Sequence, residues 1–71
     1  MMTTTVKQVG SIKLIKGHLQ AEGLYRFYDV ATEDVSFWFD THEAEIIISL
    51  PDNEFLEEAH SSIDEANSYN K

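Results

Sequence analysis

Three histidines, thirteen acidic residues and a scatter of serines and threonines are the groups in this chain that could do chemistry. Metal binding is the first possibility to weigh. The densest ligand-like string is Asp40-Thr41-His42-Glu43-Ala44-Glu45. It matches no metal-ligand spacing, and carboxylates beside one loop histidine are ordinarily solvated. His18 and His60 fall in other predicted elements. There is no Cys, so a thiolate zinc site is excluded. Neither a metal nor any other cofactor is expected.

Covalent and acid–base catalysis fare no better. Ser61-Ser62 follows His60, but on the polar side of a predicted helix, and no Gly-x-Ser-x-Gly elbow occurs. Paired carboxylates act as acid and base where a cleft drives their pKa values apart, and a chain of 71 residues has little room for one. Gly10, Gly17 and Gly23 are too widely spaced for a loop that cradles phosphate. The chain is therefore expected not to be an enzyme.

Binding chemistry remains, and charge directs it. The net charge is −8, unevenly spread. Residues 1–28 hold Lys7, Lys13, Lys16 and Arg26 against Glu22, a balance of +3. Residues 29–71 hold twelve acids against Lys71, a balance of −11. Such a surface repels phosphate and anionic lipid, so direct nucleic-acid binding and membrane association are not expected, and a basic protein partner is. The acids able to form that surface are Glu33, Asp34, Asp40 and Glu43 in loops and Glu54, Glu57, Glu58, Asp64 and Glu65 on a helix. An acidic face of this kind can also imitate a phosphate backbone.

The elements that must position these groups can be read from pattern. Leu, Ile, Val and Phe make up about 27% of the chain, enough to fold. No apolar signal core follows Met1, and the longest apolar run is Ile46-Ile47-Ile48, so a cytoplasmic protein is expected. Residues 6–68 are expected to form one small α+β domain, with residues 1–5 disordered and 69–71 frayed.

Residues 6–50 are rich in β-branched and aromatic types that suit strands. Strands are expected at about Val6–Ile15 and Leu19–Val30, turned at Lys16-Gly17, with a bulge near Gly23. The alternative places the turn at Glu22-Gly23 and shortens the strand to Leu24–Val30. Further strands follow at Val35–Asp40 and Ala44–Leu50, joined by four-residue loops. Pro51 ends the sheet. Asp52 or Asn53 can cap a helix of about residues 53–67 with an apolar stripe of Phe55, Leu56, Ala59, Ile63 and Ala66. The expected fold is an antiparallel β-meander of three or four strands followed by one C-terminal amphipathic helix packed on one sheet face.

One helix covers one face. Alternation along the strands assigns Phe37, Phe39, Ile46 and Ile48 to the covered side, with Tyr25 and Phe27 beside them. The other side then carries Leu24, Arg26, Tyr28, Trp38 and Ile47, an unusually apolar set for a solvated face. Arg26, Tyr28, Trp38 and Ile47 are the candidate partner-binding residues, being of types common at binding hot spots. The expected function is a non-enzymatic, acidic protein-binding module that regulates or inhibits a larger basic protein, a nucleic-acid-binding one where the acidic face acts by mimicry of nucleic acid. The alternatives are a homodimeric assembly subunit using the same face, and a weak single-stranded nucleic-acid binder using Lys13, Lys16, Arg26 and the aromatics.

Overall fold

The computed structural model describes residues 4–69. Strand β1 (Thr4–Val9) turns at Gly10-Ser11 into β2 (Ile12–Lys16), and β3 (Leu24–Asp29) follows. Two short strands, β4 (Asp34–Val35) and β5 (Phe39–Asp40), both pair antiparallel with β3. Helix α1 (Thr41–Ile48) and helix α2 (Asp52–Tyr69) complete the chain. The antiparallel sheet runs β1-β2-β3-β4, and α2 packs on one of its faces. The α+β class and the C-terminal helix are as the sequence predicts. No helix among the described residues is long and apolar enough to cross a membrane.

The first hairpin departs from expectation. Its turn is at Gly10-Ser11, where Gly10 takes φ 59° and Val9 pairs with Ile12. A glycine at the first position of a two-residue loop matches the twist of the flanking strands. The expected long strand over Val6–Ile15 is therefore two strands. Gly17 instead opens a connection with a 3-10 turn over Leu19–Ala21, and β3 begins after Gly23, in line with the shorter alternative. Of the start expected to be disordered, Thr4 and Thr5 pair with Lys16 and Ile15. At the other end Tyr69 belongs to α2, and residues 1–3 and 70–71 lie outside the described residues.

The largest departure is α1. Ala44–Leu50, expected to be a strand, is mostly helix. The reason is local. The Asp40 carboxylate accepts a 2.9 Å hydrogen bond from the Glu43 backbone N–H, which caps the helix start. Ala44 and Ile47 then fall three residues apart on the buried side. The β-branched run Ile46-Ile47-Ile48 favours a strand by propensity, but the cap and the burial period prevail.

Lys7 fixes the end of this helix. Its ammonium donates to the Ile48 carbonyl at 3.0 Å and the Leu50 carbonyl at 2.8 Å, and lies 4.9 Å from the centre of the Phe55 ring. A cation there suits the negative end of α1 and binds β1 to the junction of the two helices.

The core lies between sheet and helices. It contains Ile12, Leu14 and Phe27 from the sheet, Ile47 from α1, and Phe55, Ala59 and Ile63 from α2. Phe27 packs edge-on against Phe55 with ring centres 5.5 Å apart. The α2 stripe is the one read from sequence, with Phe55, Ala59, Ile63 and Ala66 buried and Leu56 packed at the margin.

Candidate partner-binding surface

The site starts from a miscount between two strands. Val35 pairs with Tyr28 and Phe39 pairs with Tyr25. Between those pairs β3 has two residues, Arg26 and Phe27, while the partner strand has three, Ser36, Phe37 and Trp38. The extra residue is a β-bulge, and it breaks the alternation of sides. Strict alternation puts Val35, Phe37 and Phe39 together; the bulge separates them. Phe39 joins the core against Phe27, at 5.6 Å between ring centres. Phe37 is turned out and stands edge-on to Tyr69 of α2 at 5.3 Å.

Ser36 makes the bulge tenable. It is 1% exposed, and its hydroxyl accepts from the Phe27 N–H at 2.9 Å and donates to the Phe37 carbonyl at 2.9 Å. The hydroxyl thus stands in where the ladder is interrupted. The Ser36 carbonyl receives both Nε and Nη2 of Arg26, at 3.0 and 2.9 Å. The Arg26 guanidinium also lies 4.2 Å from the centre of the Trp38 ring. Partial burial pulls the Arg26 pKa below its ordinary value, and a guanidinium so shifted remains charged at neutral pH.

These contacts sort the expected site residues. Arg26 and Tyr28 lie on the side of the sheet away from α2, as predicted, because Phe27 between them points into the core. Trp38, beyond the bulge, sits at the sheet edge, against Arg26 and also lining the cleft beside α2. Trp38 is 37% exposed, while Arg26 and Tyr28 are half-buried. Arg26 is engaged within the fold rather than free. Ile47 is a correction. It is 2% exposed because its segment is helical and its side chain points into the core. Ile46 and Ile48, expected to be covered, are exposed for the same reason. Phe37, also expected to be covered, is 48% exposed because of the bulge. Leu19 was not singled out in the sequence, yet it is 77% exposed and holds a left-handed φ of 55°.

Among the acids, Glu33, Glu43, Glu54, Glu57, Glu58, Asp64 and Glu65 are exposed and Asp34 is half-buried. Asp40 is exposed but occupied as the α1 cap, so it is not a freely available charge. Helix α2 carries six acids and no Lys or Arg. A cleft of about 180 Å³ opens at the sheet edge where the bulge meets both helices. Phe37, Trp38, Phe39 and Ile47 give it apolar walls; Glu43, Glu58 and Glu65 give it charge. A second hollow, between the 3-10 turn and Trp38, is lined by His18, Leu19, Gln20 and Ala21.

The histidines stay apart, with His18 before the 3-10 turn, His42 in α1 and His60 in α2. No three His, Asp or Glu side chains among the described residues are grouped to hold a metal ion. No protein-family model matches the chain, and no curated protein or solved structure matches it either.

Proposed function

We propose that this chain is a non-enzymatic, cytoplasmic, acidic protein-binding module that regulates or inhibits a larger basic protein. The observation that carries the reading is the adjacency of two surfaces. The solvent side of α2 carries six exposed acids and no Lys or Arg, and the exposed aromatics Phe37 and Trp38 lie at its margin. Aromatic anchors beside like-signed charge suit a partner that is steered electrostatically and then held by apolar contact.

Charge density separates two forms of this idea. Six acids lie along 18 residues of α2. At ~1.5 Å per residue that is about one charge per 4.5 Å. Duplex DNA carries one per ~1.7 Å, and a single strand one per ~3.4 Å. The helix is thus far too sparse to imitate a duplex and is nearer to a single strand. Docking to a basic protein is favoured over duplex mimicry.

The test compares wild type with a Glu54→Gln/Glu57→Gln/Asp64→Asn triple variant as bait in extract of the native host. Wild type should retain a basic protein that the variant loses, and that high salt elutes. Equal retention by both baits, or retention unaffected by salt, would overturn the reading. A dimer in light scattering over a dilution series, with no partner retained, would favour the homodimeric alternative.

A further inference from the structure

We propose that the aromatic cleft at the bulged sheet edge receives an arginine side chain from the basic partner. This rests on the proposed function and names the chemistry of its contact point. The occupant follows from the walls. Phe37, Trp38 and Phe39 line it, with Phe37 the most exposed of the three, and the flanking charges are Glu43 from α1 and Glu58 and Glu65 from α2. Among the described residues, no Lys, Arg or His lines the cleft. Aromatic side chains and carboxylates lining one cleft complement a cation that is both flat and charged.

Size and spacing narrow it further. About 180 Å³ is below the ~300 Å³ at which pockets begin to hold drug-sized ligands, but it accommodates one long side chain. The glutamates come from two helices and are not grouped as metal ligands. A planar fork with several donors can reach carboxylates on both helices, whereas an ammonium is a point charge. Arg26 already lies 4.2 Å over the Trp38 ring and takes that face of the indole, so Phe37, 48% exposed, is the ring left to meet an incoming arginine.

The test is an amide NMR titration of the full chain with Nα-acetyl-arginine methylamide, beside the lysine and citrulline analogues. Arginine should give saturable shifts confined to residues 36–39, Glu43 and Ile47 of α1, and Glu58 and the Ser62–Glu65 turn of α2. It should bind about threefold more tightly than lysine, and uncharged citrulline should not bind. A Glu58→Gln/Glu65→Gln variant should weaken arginine about fivefold, while Glu45→Gln, outside the cleft, should leave it unchanged. Both variants change solvent-exposed side chains, so the fold is retained.

Citrulline binding like arginine, or the double variant binding like wild type, would overturn the proposal. So would cleft shifts that follow protein concentration alone, because a second copy would then be the occupant. Shifts spread along the outer acids of α2 would overturn the cleft while leaving the basic-partner reading intact. Specific arginine binding together with failure of the host-extract test would refute that reading and keep the cleft.

Discussion

Replacing Ser36 by alanine tests the hinge of this architecture. Ser36 is 1% exposed, and its hydroxyl is what the Phe27 N–H bonds to, at 2.9 Å. Phe27 itself is 0% exposed, so that N–H would be stranded in the core rather than handed to water. A stranded buried donor costs about 1–3 kcal/mol. The Phe37 carbonyl also loses its 2.9 Å partner, but it belongs to an exposed residue that water can reach, so little is added. The expected loss is about 2 kcal/mol, a large share of the ~4–10 kcal/mol that a chain of 71 residues holds. For a domain of this size each kcal/mol moves Tm by about 4–8 °C, so Tm should fall by about 8–16 °C. Circular dichroism reports the global transition. Fluorescence of Trp38, the one tryptophan, reports the bulge, and its emission should shift as the Arg26 contact loosens. Ser61→Ala, on the exposed side of α2, is the control and should leave Tm unchanged. A Ser36→Ala Tm within about 3 °C of wild type, too little for even a 1 kcal/mol loss, would mean that the Phe27 N–H has another partner, and the account of the bulge would fail.

Three further outcomes are expected. Lys7→Met keeps most of the stem but removes the donor to the Ile48 and Leu50 carbonyls; urea unfolding should show a loss of about 1.5 kcal/mol, with no loss meaning that the α1 end is held without it. Leu19→Gly relieves a left-handed leucine that is 77% exposed, so stability should rise by about 0.5–1 kcal/mol, and a fall would show that Leu19 is packed rather than displayed. Asp29 has its pKa lowered, first by the hydrogen bond from the Ala31 N–H and further by Ser11 and Thr32. A depressed carboxylate stabilises the fold above its unfolded pKa, and that contribution disappears as pH falls through the folded value. Asp29→Asn should therefore be less stable than wild type at neutral pH and converge with it below pH 3.8, the ordinary value; curves that stay parallel through that range would contradict the assignment.

Particular residues explain what the sequence could and could not tell. Helix α2 was legible because Pro51 punctuates its start and Phe55, Ala59, Ile63 and Ala66 keep one helical stripe within its 18 residues. Helix α1 was not, because three successive isoleucines look like a strand when propensity is read alone. The signal against that was Asp40 followed three residues later by Glu43, a cap pattern hidden in a string that looked like ligands. Ile47 left the site with that error. The bulge was less legible still. A period of two says which residues share a face but not where one residue is inserted, and Ser36 between Val35 and Phe37 was the only local hint. Arg26 and Tyr28 stayed on the side away from α2 because β3 has no such irregularity.

The bulge has a reason in the core alone, and that reason must be separated from binding. Val35 shares a face with Tyr28, away from α2, so unbroken alternation would carry Phe39 to that face as well. Inserting one residue returns Phe39 to Phe27 and the core. Phe37 and Trp38 are then displaced outward, leaving rings 48% and 37% exposed, which forgoes roughly 1 kcal/mol of burial each. So far an aromatic edge is only the by-product of filling a core. The Arg26 fork on the Ser36 carbonyl also belongs to the core account, since the bulge turns that carbonyl out of the ladder. What that account does not require is the guanidinium at 4.2 Å from the Trp38 ring. That contact restrains a ring that remains open to solvent, and fixing a side chain costs rotamer entropy. The cation–π attraction offsets part of that cost within the fold, and a ring already held in place gives up less on meeting a partner. The restraint on Trp38, more than its exposure, is the reason to read this edge as a docking surface.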